Sequence, residues 1–212
     1  MTAKKSPTLI ERADRHISDQ VNHKRDSWQM RAIGAVSDIG DQPQMRLLCA
    51  ATIAFAIVRR DRHLATTGFK MLAAHTVATW GKSAVKAVVN RTRPESGDDP
   101  KVRIGNSDAH EENSFPSGHS AGAVAVAEAV ARGYPEHALA ARAAALAVAA
   151  IQVPRGAHYV GDVIAGTGIG LAAESVSDAV FRSLDPRRLA RDSDLRRDRS
   201  EDFHTVVSDV YG

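Results

Sequence analysis

Residues 117–132 read SGHSAGAVAVAEAVAR. Ser117 is a natural helix N-cap, and Gly118 leaves the backbone of the first turn bare. From Ser120 onward the stretch is almost entirely Ala, Val and Gly, with Glu128 and Arg132 as its only charges. Alanine is the strongest helix former, so a helix is expected from near Ser117 to about Arg132, broken by Gly133-Tyr134-Pro135. A helix so apolar on most sides needs other helices around it, which points to a bundle.

The same reading extends outward. Downstream, one helix is expected over roughly 136–153, ended by Pro154 and Gly156, and another from about Tyr159 to Phe181. Upstream, residues 94–114 form a loop rich in Asp, Glu, Gly, Asn and Pro. Before it, a helix is expected over about 64–89, and the uncharged run 47–58 is closed by Arg59-Arg60-Asp61-Arg62. Ser37-Asp38-Ile39-Gly40-Asp41 reads as a turn that offers an N-cap to that run. Apolar points at Leu9, Ile10, Ala13, Ile17 and Val21 lie close to one helical face. Long strand-like alternation is missing. The expected fold is all-α, a bundle of about six helices with the site at helix ends. Its expected limits are a tail at 1–8, the bundle at 9–182 and a charged tail at 183–212, where Arg and Asp mix densely.

At 212 residues the chain suits one domain. The net charge is +3 with a pI near 9.2, but bases are dispersed among acids and no aromatic-basic interleaving is present, so no nucleic-acid partner is expected. Cys49 stands alone in an apolar run, which excludes an intrachain disulfide and a Cys metal cluster. His110-Glu111-Glu112 lacks the H-E-x-x-H spacing, so no metal or other cofactor is expected. His75, amid apolar neighbours, is expected to be a satisfied core histidine. The N-terminus is polar, without the apolar core of a secretory signal. The uncharged runs 47–58, 71–81, 143–154 and 163–173 are each shorter than the ~20 apolar residues of a spanning helix. Yet several helices are apolar nearly all round, and arginines cluster at 59–62 and in the C-terminal tail, as a positive-inside bias would place them. Composition thus fits both a water-soluble bundle and a membrane-embedded one, and carries no signal for an oligomeric state.

Three short segments carry chemistry. Lys86 and Arg93, followed by Pro94, would lie two turns apart on one face if the preceding helix continued. Two cations there make an anion-binding edge. In Pro116-Ser117-Gly118-His119, the bare N–H groups and positive dipole end of the helix suit a phosphate, with His119 in the first turn. In the segment from Pro154 to Asp162, His158 and Asp162 are four apart and would share a helical face. A carboxylate so placed can orient an imidazole. Arg155, three residues before His158, could present a guanidinium to the same anion. Each segment alone also fits a plainer role: a solvated basic edge, a capping histidine, a surface pair. Their combination, in order, at helix ends is what points to function.

Together they resemble the signature of the type 2 phosphatidic acid phosphatase and vanadium haloperoxidase superfamily. Its K-x6-R-P part matches at Lys86, Arg93 and Pro94, and its P-S-G-H part at Pro116 to His119. Its S-R-x5-H-x3-D part matches at His158 and Asp162. There is one departure: the Ser-Arg pair falls on Ile151-Gln152, and Gln152 carries no charge, so Arg155 is expected to stand in for it. The resemblance implies a metal-independent phosphatase acting on phosphomonoesters or diphosphate esters, most naturally phosphorylated lipids such as phosphatidic acid or an isoprenyl diphosphate. It implies that His158 attacks phosphorus to form a phosphohistidine, that Asp162 orients it, and that His119 protonates the leaving oxygen. Lys86, Arg93, Arg155, Ser117 and Gly118 would then hold the phosphate oxygens. It also implies a membrane location, integral or closely associated, with the site on the non-cytoplasmic side. Two other readings share the pocket: a vanadate-dependent haloperoxidase, and a non-catalytic helical binding protein whose phosphate site has decayed at Gln152.

Overall fold

The computed structural model describes residues 7–21, 27–97, 99–105, 107 and 109–185. Most of the tails expected at 1–8 and 183–212 lies outside these. The described residues form seven α-helices: α1 (Leu9–Val21), α2 (Trp28–Ser37), α3 (Gln42–Arg59), α4 (Arg62–Lys86), α5 (Gly118–Gly133), α6 (Ala138–Ile151) and α7 (Val160–Ser183). The all-α expectation holds. The additions are a short antiparallel pair, β1 (Val89–Arg91) with β2 (Val102–Ile104), and the division of the first segment into α1 and α2.

Helix α5 is the axis of the bundle. Ten of its residues are buried, from Ser120 round to Ala131, and α4, α6 and α7 pack around it. Small side chains make this possible, because they let neighbouring backbones approach closely. On α7, Gly166 and Gly170 are one turn apart and both face α5. A Cβ at Gly166 would overlap the carbonyl oxygen of Ser117, and one at Gly170 would stand 2.6 Å from that of Ala121. The Ser117 N–H donates to the Asp162 carbonyl at 3.0 Å, so the starts of α5 and α7 are fastened together. Gly166→Val is therefore expected to destabilise the protein by about 1–3 kcal/mol through overpacking. Gly168→Ala, where nothing lies within 4 Å of the added carbon, is expected to stabilise the helix by up to about 1 kcal/mol. Thermal melting of the two variants checks both signs.

Side chains cap the starts of α4 and α5. Asp61 Oδ1 accepts from Leu64 N at 2.9 Å and caps α4, and Ser117 Oγ accepts from Ser120 N at 3.3 Å and caps α5. The inward carboxylates Glu174 and Asp178 of α7 are paired: Glu174 with Arg132 at 2.6 Å, and Asp178 with Lys70 at 2.8 Å and Arg182 at 2.7 Å. Among the described residues one helix, Val160–Ser183, is long and apolar enough to cross a membrane.

In α1 the apolar points do not face the core. Leu9, Ile10, Ile17 and Val21 are exposed, whereas Asp14 and Ser18 are buried. The reason is that α1 docks by charge, with Asp14 paired to Arg91 at 2.8 Å.

Candidate active site

The chain runs up and down the bundle so that one end gathers the C-terminus of α4, the turn before α3, the N-termini of α5 and α7, and the segment after α6. These line a cavity of about 550 Å³ whose walls include Lys82, Lys86, Arg93, His119, Arg155 and His158. Three separated segments of the sequence thus share one pocket.

Lys86 and Arg93 arrive by a different route from the one expected. Helix α4 ends at Lys86, and the chain turns into β1 before Arg93. The two cations meet because β1 folds back, not because they share a helical face. Lys86 Nζ donates to the Asn113 carbonyl, while Arg93 donates from Nε to the His110 carbonyl at 3.0 Å and from Nη1 to that of Ala157 at 3.3 Å. The sequence reading passed over Lys82, one turn before Lys86 on the same face of α4. Gly118 makes room for it: a Cβ there would stand 2.9 Å from Lys82 Nζ.

His158 lies just ahead of α7, with Asp162 inside its first turn. They are close all the same: His158 Nδ1 is 3.7 Å from Asp162 Oδ2, a Coulombic contact without a hydrogen bond. Both are buried. The carboxylate is held by other donors, Ser114 Oγ at 2.5 Å, Tyr159 N at 2.9 Å and Arg91 Nη1 at 2.6 Å. Burial, foremost, pushes the His158 imidazole down from 6.5 to about 4. Asp162 pulls it up, and Arg93 and Lys86 push it down further. The ring is therefore neutral across the ordinary pH range, with Nε2 as the nitrogen away from Asp162.

Between pH 4 and 6.5 the unfolded chain protonates this histidine and the folded one does not, so stability falls as pH drops from 6.5 towards 4. His158→Asn is expected to remove that part of the slope, measured as melting temperature against pH.

His119 lines the same cavity from the first turn of α5. Its Nε2 is 2.8 Å from Asp41 Oδ1, close but not aligned as a hydrogen bond. Asp41 comes from the turn before α3, where the expected N-cap makes no side-chain capping bond and faces His119 instead. Gly40 permits this approach: a Cβ there would stand 3.2 Å from the His119 ring and 2.6 Å from Val148.

Two expected phosphate ligands are placed differently from one another. Arg155 lines the cavity, and its Nη1 is anchored by Asp38 at 2.7 Å, Ser37 Oγ at 2.7 Å and the Gly34 carbonyl at 3.1 Å. Gln152 is fully buried beside it, with Nε2 donating to the Val148 carbonyl at 3.0 Å. The cation in this quarter is therefore Arg155. Ser117, in contrast, is fully buried, its hydroxyl accepts from Ser120, and it is not among the residues lining the cavity. It holds the start of α5 and leaves the pocket to Gly118. His75 lines the cavity floor. It is buried as expected, but its Nδ1 has no hydrogen-bond partner among the described residues.

Asp38, Asp41 and His119 bring three potential metal-ligating atoms within 4.8 Å of one another. Arg155 already neutralises Asp38, so the cluster reads as an ion-pair network around His119 in which a guanidinium fills the cationic role.

A helical bundle with two histidines, a buried carboxylate and several cations around one pocket defines a class of oxyanion-handling proteins. Comparison with protein families makes the assignment: residues 67–181 match the PAP2 superfamily, and the chain belongs to it. Two solved structures share the fold. One is the first transmembrane PAP2 type phosphatidylglycerolphosphate phosphatase from Bacillus subtilis, with a TM-score of 0.65 and 20% identity over 85% of this chain and 90% of that one. The other is Aquifex aeolicus LpxE, with a TM-score of 0.58 and 20% identity over 76% of this chain and 92% of that one. A search of curated proteins finds no match to the sequence.

Proposed function

We propose that this protein is a phosphatase that hydrolyses the phosphomonoester or diphosphate ester of a lipid through a phosphohistidine on His158. The observation that carries the proposal is the convergence of His119, His158, Lys86, Arg93 and Arg155 on one cavity. Phosphoryl transfer is catalysed mainly by positioning and charge neutralisation. Lys86, Arg93 and Arg155, joined by Lys82, neutralise the nonbridging oxygens, and Gly118 offers its bare backbone to them. At an effective dielectric of 20, one cation at contact is worth roughly 4 kcal/mol to a unit negative charge. His158 Nε2 attacks phosphorus. His119 protonates the leaving oxygen and then takes a proton from the water that releases phosphate.

Two features favour a lipid. A second, apolar cavity of about 220 Å³ lies between α3, α5 and α6, lined by Ile39, Met45, Met71, Val126, Ala145 and Val148 among others. It borders the polar pocket near Gly40, where an added Cβ would stand 2.6 Å from Val148 and 3.2 Å from the His119 ring. The arrangement suits a substrate with a charged head and an apolar tail. The outer faces of the helices also carry large exposed apolar side chains, such as Phe55, Val58, Trp80, Leu146, Ile164 and Val176. Apolar surface on that scale marks a membrane or a partner. With the outward stripe of α1, it supports a bundle embedded in lipid.

The test is a phosphate-release screen across lipid and water-soluble phosphates, in detergent and with a chelator present. Release that survives the chelator and favours long-tailed substrates is expected. No release from any phosphate would overturn the proposal.

A further inference from the structure

Behind Asp162 lies a second layer of buried charge, Arg91 and Asp14, to which the three-segment signature gives no role. Arg91 is 2% exposed, and each nitrogen of its guanidinium is engaged. Nη1 donates to Asp162 Oδ1 at 2.6 Å, Nη2 to Asp14 Oδ2 at 2.8 Å and Nε to the Pro100 carbonyl at 2.9 Å. Its plane lies over Tyr159, with Cζ 4.1 Å from the ring centroid. Asp14, on α1, is 5% exposed, and its other oxygen accepts from the Gly161 N–H at 3.0 Å. That N–H is one of the unpaired donors at the start of α7, immediately before Asp162. A continuous buried chain thus runs from Asp14 through Arg91 and Asp162 to His158.

The charges along this chain matter as much as the bonds. Arg91 facing Asp162 alone would cancel the carboxylate that His158 needs. Asp14 engages the other edge of the guanidinium, so two carboxylates share one cation and the group stays net negative. On the phosphatase reading, this is where the demand falls. The Nε2 lone pair forms the bond to phosphorus, and the leaving oxygen departs with the bonding pair and takes a proton from His119. The imidazole ring then carries positive charge, with its Nδ1 side towards Asp162. When water attacks phosphorus, the nitrogen–phosphorus pair returns to Nε2 and the charge is discharged.

We propose that Asp14 is a positioning residue for phosphoryl transfer, which through Arg91 fixes the Asp162 carboxylate and keeps net negative charge beside Nδ1 of His158. This rests on His158 being the nucleophile. The charged groups around His158 are Lys86 from α4, Arg93 after β1 and Asp162 from α7, with Arg91 and Asp14 behind. Three of these are cations and two are carboxylates, and removing the charge of Asp14 leaves Asp162 as the single carboxylate among them, facing Arg91 alone.

The experiment compares wild type, Asp14→Asn and Asp14→Glu as the full chain in detergent micelles, with p-nitrophenyl phosphate as substrate and ¹⁵N-histidine spectra across pH. Asp14→Asn should lower kcat by about 10- to 100-fold, the range seen when an outer partner of a functional group is lost, with KM little changed. The His158 titration should move to lower pH. Asp14→Glu keeps the charge and should restore that titration, with a smaller loss in kcat. If Asp14→Asn does not fold, Asp14→Glu must still lower kcat at constant KM, and wild-type kinetics there overturn the idea. An unmoved His158 titration in Asp14→Asn, with kcat following only the folded fraction, also overturns it. A wild type that releases phosphate from nothing sinks the phosphatase reading instead, and the His158 titration still decides whether Asp14 is coupled to that ring.

Discussion

His158→Ala is expected to abolish phosphate release, by about 10⁴-fold or more, while the helical spectrum and melting behaviour at neutral pH stay close to wild type. Loss of a nucleophile that acts as one unit with its partners removes nearly all of their joint contribution. The fold should survive because the side chain makes no hydrogen bond from Nδ1 and its contact with Asp162 is 3.7 Å long. Asp162 keeps its bonds from Arg91, Ser114 and Tyr159 without it. The truncation leaves a small hole at the cavity wall. Single-turnover trapping of a phosphorylated protein in acid-free denaturant separates the cases: wild type should carry label on histidine and the variant none. Wild-type turnover by the variant would reject the nucleophile assignment.

His119→Ala should cost about 10²–10⁴-fold, the usual worth of a positioned general acid, and the loss should depend on the leaving group. An alkyl alkoxide leaves poorly without a proton, whereas p-nitrophenolate leaves well. The variant should therefore lose most on a lipid phosphate and much less on p-nitrophenyl phosphate, with KM for both little changed. Equal losses on the two substrates would mean that His119 binds oxygen rather than donating a proton. Burial pushes the His119 pKa down, and Asp41, 2.8 Å from Nε2, is the group that acts against that shift and favours the protonated imidazole.

The pocket was legible because its residues sit at helix ends with strong local signals: a serine N-cap, a bare glycine and a proline stop. The routes by which they meet were less so. Lys86 and Arg93 were expected two turns apart on one helix, but α4 stops at Lys86 and the β1–β2 pair returns Arg93 to the same place. Sequence spacing cannot distinguish a continued helix from a tight return when both bring two side chains together. Ser117 was expected at the phosphate, yet it is fully buried behind the cavity wall, where its hydroxyl accepts from Ser120. Lys82 could have been found from its one-turn spacing to Lys86. Asp41 and Asp14 could not, because each acts on a partner far away in sequence, 147 positions in the case of Asp14 and Gly161.

By itself the sequence determined the helical class, the family signature and the two imidazoles that line the pocket, since caps, breakers and residue type are local properties of the chain. Only the tertiary structure decided that Asp38 and Ser37 anchor Arg155 at the cavity, that Lys82 enters the pocket, and that the polar side of α1 turns inward. Those outcomes depend on which buried charges find partners, and a buried charge is tolerated only where distant segments bring it an opposite one.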